Sequence, residues 1–165
     1  MGNKLSDHFT IVNKIKGNLN HLKVDFDKKF PNSFFSTTLN ETYSAQNKNK
    51  LKGYIPDAVI KIGQTIYIFE VEFSGLQPGK LVEDALLSSL VCLNMECKEL
   101  QLIIITKNID ALTYARAWID LVWPYIQNLF NGSNQSKKYK YKVFSVNSVV
   151  DNDKYIMEIL KDVCG

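Results

Sequence analysis

With 165 residues, the chain is one domain long, with room for a core of several strands and helices and none for a second recognition domain of ordinary size. A net charge of +3, carried almost wholly by lysine with Arg116 the only arginine, is what solubility alone produces; it allows phosphate contact and disfavours bidentate arginine reading of bases. Cys92, Cys97 and Cys164 are odd in number and lack metal-ligand spacing, and no apolar run approaches the ~18 residues of a membrane span, so reduced thiols, a cytoplasmic location and no membrane contact are expected.

In chain order, Ser6 is a candidate N-cap for an amphipathic helix over about residues 6–23, with Phe9, Val12, Ile15, Leu19 and Leu22 on its apolar side. His8 and His21 lie on the same helix and have no partner at ligand spacing. Phe30-Pro31-Asn32 breaks the chain before a strand over Ser33–Leu39. Asn40 to Gly53 is almost devoid of apolar residues and predicts a loop, in which Lys48, Lys50 and Lys52 are placed either for solvation or for a phosphate backbone.

The segment Ile55–Glu72 predicts two strands meeting at Gly63-Gln64, a two-residue loop with glycine first as a type II′ turn requires. Ile62 then pairs with Thr65, and Asp57 lies opposite Glu70, with Cβ atoms about 4.5–5.5 Å apart on one face. Period two adds Glu72 to that face. Three carboxylates among Ile, Val and Phe need positive charge between them, and a hard divalent cation is the natural candidate. The competing reading is an edge hairpin whose carboxylates face solvent; against it, Val59, Ile66 and Ile68 share the acidic face and make it half apolar.

After the turn cluster Ser74–Gly79, Leu81, Val82, Ala85, Leu86, Leu90 and Leu93 predict a helix to about Asn94, with Glu83 and Asp84 read first as complementing its dipole and, as the alternative, as reaching a metal. Leu100–Thr106 predicts a buried strand. A long helix starting at Asn108 or Asp110 follows, with a stripe of Leu112, Ala115, Ile119, Val122, Ile126 and Leu129 and a kink or division at Pro124. Trp118 and Trp123 are expected in core or interface packing. Lys137–Val146 alternates, with Lys138, Lys140 and Lys142 on one face of a strand and Tyr139, Tyr141 and Val143 on the other, so the lysines either protect a sheet edge or contact phosphate. A last helix capped by Asp151 or Asn152 runs through Val163. Helices alternating with buried strands after an antiparallel start predict an α/β fold with a mixed sheet flanked by helices.

Pro56-Asp57, followed across the turn by Glu70-Val71-Glu72, resembles the signature of the PD-(D/E)XK, or restriction-endonuclease-like, nuclease superfamily in an E-x-E variant. The resemblance covers about residues 6–106 of one nuclease-like domain, with a helix–strand–helix extension over 108–164. It implies a mixed β-sheet core of that fold and a Mg2+-dependent DNA endonuclease, with Mn2+ as a possible substitute. It also implies that Asp57, Glu70 and the Val71 carbonyl hold the metal. Glu72 stands where the commonest pattern has lysine, as in some similar restriction enzymes, and would be a general base or a ligand to a second metal. The missing ammonium would come from Lys80 at the next helix, or from Lys61, which is on the Asp57 face but ~13 Å along the strand; Lys61 otherwise joins Lys48, Lys50, Lys52, Lys138 and Lys140 as a DNA contact. Cutting both strands would favour a homodimer. The alternatives are a catalytically inactive nucleic-acid-binding module of the same fold and an acidic-faced protein-interaction domain.

Overall fold

A computed structural model describes residues 9–15, 17, 34–36, 56–72, 77–94, 97–132, 136–146 and 161–162. Helix α1 is described over residues 9–15. The strands are β1 (Phe34–Ser36), β2 (Ala58–Ile62), β3 (Thr65–Glu72), β4 (Glu99–Thr106) and β5 (Lys138–Ser145). Helix α2 (Pro78–Asn94) joins β3 to β4, and helix α3 (Ile109–Asn131) joins β4 to β5. The loop lysines Lys48, Lys50 and Lys52, both histidines, Ser6 and most of the last expected helix lie outside the described residues, although Lys161 and Asp162 are helical.

The strands form one sheet in the order β1-β2-β3-β4-β5. β1 and β3 flank β2 antiparallel, whereas β3/β4 and β4/β5 are parallel, because each of the latter pairs is joined by a helical crossover. The hairpin register is the expected one, with Ile62 against Thr65 and Ala58 against Phe69. Gly63 takes φ 58°, the positive value that its place in the turn demands and that other residues adopt only with strain.

Period two divides the sheet into two buried faces. On one, Val59, Ile66, Ile68, Leu100, Leu102, Ile104, Tyr139 and Val143 pack with Leu81, Ala85, Val91 and Cys92 of α2 and Ala115, Ile119, Ile126 and Phe130 of α3. On the other, Ala58, Ile60, Phe69, Val71, Ile103 and Ile105 pack with Ile11, Val12 and Ile15 of α1. The apolar side of α1 is therefore Ile11, Val12 and Ile15, and Phe9 is 56% exposed, against the expected stripe. The buried side of α2 likewise differs from the leucine pattern: Ser88, Ser89 and Asp84 are buried and Leu90 is 40% exposed. Ser88 Oγ meets Tyr139 Oη at 2.7 Å, and that hydroxyl donates to the Ala85 carbonyl at 3.0 Å, so the helix satisfies its buried hydroxyls against β5.

A single helix, α3, passes through Pro124 instead of dividing there, and Phe130 takes the buried place expected of Leu129. Pro124 is exposed, so the carbonyl left without a helical donor can be met by water. Asn108 caps α3, its side chain accepting from Ala111 N at 2.9 Å. Trp123 packs between Tyr139 and Tyr141, with ring centroids 5.4 and 4.8 Å away. No helix among the described residues is long and apolar enough to cross a membrane.

Candidate acidic site beneath helix α2

Asp57 stands one residue before β2, where the ladder to β3 ends. Proline at 56 has no N–H to continue the pairing, and the Asp57 carboxylate takes over, Oδ2 accepting from Val71 N at 2.8 Å. Because a strand residue presents N–H and C=O to the same neighbour, the Val71 carbonyl faces the Asp57 edge as well. Alternation along β3 turns Ile68, Glu70 and Glu72 to the face covered by α2 and α3. Glu70 is 3% exposed, as deeply buried as the core around it. The carboxylates therefore do not line a solvated edge: the half-apolar face that carries them lies under a helix.

That helix brings the compensating charge. Pro78 opens α2, its fixed φ suiting the first helical position, and Lys80 and Leu81 donate to the Gln77 carbonyl at 3.0 and 3.3 Å. Lys80 and Asp84 are one turn apart on the inner side. Lys80 Nζ bonds Asp84 Oδ1 at 3.0 Å and reaches Glu72 Oε1 at 3.4 Å. A lysine in the first turn works against the helix dipole; three carboxylates, Asp84, Glu70 and Glu72, act against that term. Burial alone would depress the Lys80 ammonium, but the bond to Asp84 and the charges of Asp84, Glu70 and Glu72 hold it well above its usual range.

Burial is the main cause that pushes Glu72 up to about 7, helped by Asp84 and Asp57 and opposed by Lys80. Burial also raises Asp84 against the pull of Lys80. Asp84 is 1% exposed, and its Oδ2 is the one buried side-chain oxygen or nitrogen without a hydrogen-bond partner among the described residues. Asp84 thus belongs to the site rather than to the helix terminus, where its sequence position had placed it. Its signal was its spacing: it falls in the row of Leu81, Ala85 and Ser88, one turn from Lys80.

The cluster is an all-oxygen donor set suited to a hard cation such as Mg2+. Asp84 Oδ2 makes no hydrogen bond to another described residue while Glu72 is ionised, and a protonated Glu72 can donate to it. Among the described residues, no three His, Cys, Asp or Glu side chains are arranged as a formed metal site; the Lys80 ammonium bridges Glu72 and Asp84 instead.

Of the other candidate lysines, those among the described residues lie elsewhere. Lys61 pairs with Ile66, four residues along β3 from Glu70, and its charge is felt by Cys97 at the hairpin end of the sheet. Lys138 pairs with Glu99, at the far end of β4 from the Glu72–Thr106 pair. Lys140 Nζ binds both Glu99 oxygens, at 3.0 and 3.1 Å, and Lys142 binds Asp162 at 3.1 Å. These residues border a cleft of about 440 Å³ at the β5 edge, lined by Gln101, Trp123, Lys140, Tyr141, Lys142 and Asp162. Comparison of the chain with protein families, with curated proteins and with solved structures gives no significant match.

Proposed function

We propose that the chain is a metal-dependent DNA endonuclease of the restriction-endonuclease-like fold, hydrolysing phosphodiester bonds at the acidic site. The observation that carries this reading is Glu70 and Glu72 on the covered face of β3, with Asp57 bonded to the N–H of the intervening Val71 and Lys80 of the following helix 3.4 Å from Glu72. The mixed sheet with its antiparallel hairpin followed by a helical crossover is the order that the resemblance implies.

Asp57, Glu70 and the Val71 carbonyl would hold Mg2+, which when bound lowers the pKa of a water and neutralises charge on the phosphate. The hydrogen bond from Val71 N fixes the Asp57 carboxylate beside the Val71 backbone. Glu72, with its proton affinity near neutrality, is suited to accept a proton from the attacking water and to release it afterwards. Lys80, held by Asp84, supplies the ammonium that the glutamate at position 72 displaces from its commonest place, and it would stabilise charge developing on a phosphate oxygen.

The test is nicking of supercoiled plasmid with Mg2+ or Mn2+. The wild-type chain converts plasmid to open-circular and linear forms, and Asp57→Ala and Glu70→Ala each lose at least about 100-fold in rate, the scale of removing one electrostatic partner of a transition state. Absence of cleavage with either metal, or cleavage indifferent to both substitutions, removes the enzyme reading. A second reading, a binding module without catalysis, is favoured by the internal neutralisation of Glu72 and Asp84 by Lys80 and by the aromatic and basic cleft at the β5 edge, which combines a stacking surface with lysines. Salt-sensitive DNA binding without nicking would support it.

A further inference from the structure

We infer that α3 is the dimerisation helix, pairing in parallel register with α3 of a second copy along the row Tyr114, Ala117, Trp118, Leu121, Pro124, Tyr125 and Asn128. These residues recur at steps of three and four, so they form one stripe, centred on the side turned away from the buried Ala115, Ile119, Ile126 and Phe130, with the half-buried Trp118 at its margin, packed in part against the core. Tyr125 is 70% exposed, Leu121 61% and Tyr114 38%; Ala117, Pro124 and Asn128 are also exposed. Tyr114 and Trp118 already touch, with ring centroids 6.2 Å apart, which stiffens the upper half of the row.

The stripe contains no charged residue. The helix has only three, Asp110, Arg116 and Asp120. Asp110 lies one turn before the row begins. The other two are used against β5: Arg116 Nη2 donates to the Val143 carbonyl at 3.4 Å, and Asp120 accepts from the Tyr141 hydroxyl. In a parallel pair about a two-fold axis, each residue meets its own copy, so any charge in the contact would face an identical charge. A charge-free apolar row suits that arrangement, whereas it offers no ion pair to a charged partner. Asn128 shares the seven-residue spacing of Tyr114 and Leu121, and an asparagine at one such position fixes parallel register in two-stranded coiled coils.

The exposed side chains of the row present on the order of 500 Å², given about 150–250 Å² for a whole aromatic residue. A stable dimer covers about 800 Å² on each partner. The row therefore provides the centre of such an interface, with flanking residues such as the 46% exposed Leu129 adding to it. The orientation rests on the nuclease reading: α3 starts three residues after Thr106, which pairs with Glu72, so parallel helices place both acidic sites at one end of the dimer, where the two strands of a duplex can be reached together.

The experiment is sedimentation velocity of the full chain across a concentration series, with Leu121→Lys as the disrupting variant and circular dichroism melts as the check on folding. Wild type sediments as a dimer with a melt that rises with protein concentration, and Leu121→Lys as a monomer with a cooperative melt independent of concentration, since residue 121 is outside the core. Register is read by Tyr114→Cys and Leu121→Cys, each in a Cys164→Ser background and oxidised with copper–phenanthroline; both should give disulfide-linked dimers. A wild-type monomer throughout, a dimer untouched by Leu121→Lys, or cross-linking at 121 without cross-linking at 114 overturns the inference. A wild-type dimer that does not nick plasmid supports the interface and overturns the nuclease reading, and a wild-type monomer that nicks does the reverse, so the two fail separately.

Discussion

Replacing Glu72 by glutamine makes the burial of the acidic site measurable. Glu72 shifts from 4.5 to about 7 on folding, so the native state holds a proton that the unfolded chain releases at lower pH. Its contribution to stability is complete below about pH 4.5 and is lost as pH rises through about 7. Each unit is worth about 1.4 kcal/mol, so the full loss is about 3 kcal/mol. Glutamine mimics the protonated form and has no proton to lose. Glu72→Gln and wild type should therefore melt together near pH 5, and the variant should be more stable by about 3 kcal/mol at pH 8, or roughly 6–12 °C for a chain of this size. Melts followed by circular dichroism from pH 5 to 8.5 without divalent cations give the difference directly. A constant offset across this range, or a wild type that gains on the variant as pH rises, would refute the argument that burial dominates the Lys80 attraction at this position.

Two further substitutions test the frame that positions the site. Gly63→Ala has open space for the added carbon but must keep φ near +58°; it should cost about 1–2 kcal/mol, read as a lowered urea midpoint with an unchanged m-value. Asn108→Ala removes the cap on Ala111 N and should cost about 1 kcal/mol by the same measurement, while aspartate at 108 should restore most of it.

The hairpin was legible because its determinants are local. Gly63 fixes the turn, the turn fixes the register, and alternation then assigns Asp57, Glu70 and Glu72 to one face. The cover over that face was indicated by Val59, Ile66 and Ile68, which only a packed layer could bury. Asp84 was read first through the helix dipole because it lies near a helix start; its spacing from Leu81, Ala85 and Ser88, which puts it on the buried side in the second turn, is the signal that outweighs that reading. On α3 the spacing already put Ala115, Ile119 and Ile126 on the buried side and left Leu121 and Tyr125 off it; only the last place moved, from Leu129 to Phe130. Pro124 was expected to kink or divide α3; the helix is not divided there, and at this exposed position the carbonyl that loses its donor can face water.

The central claim is that the carboxylates under α2 form a divalent-cation site. Calorimetric titration of Mn2+ into wild type, Asp57→Asn and Glu70→Gln at pH 8 tests it most directly. Saturable binding to wild type, weakened at least tenfold in both variants, is the predicted result. Heats that do not saturate, or an affinity that neither substitution changes, would contradict it.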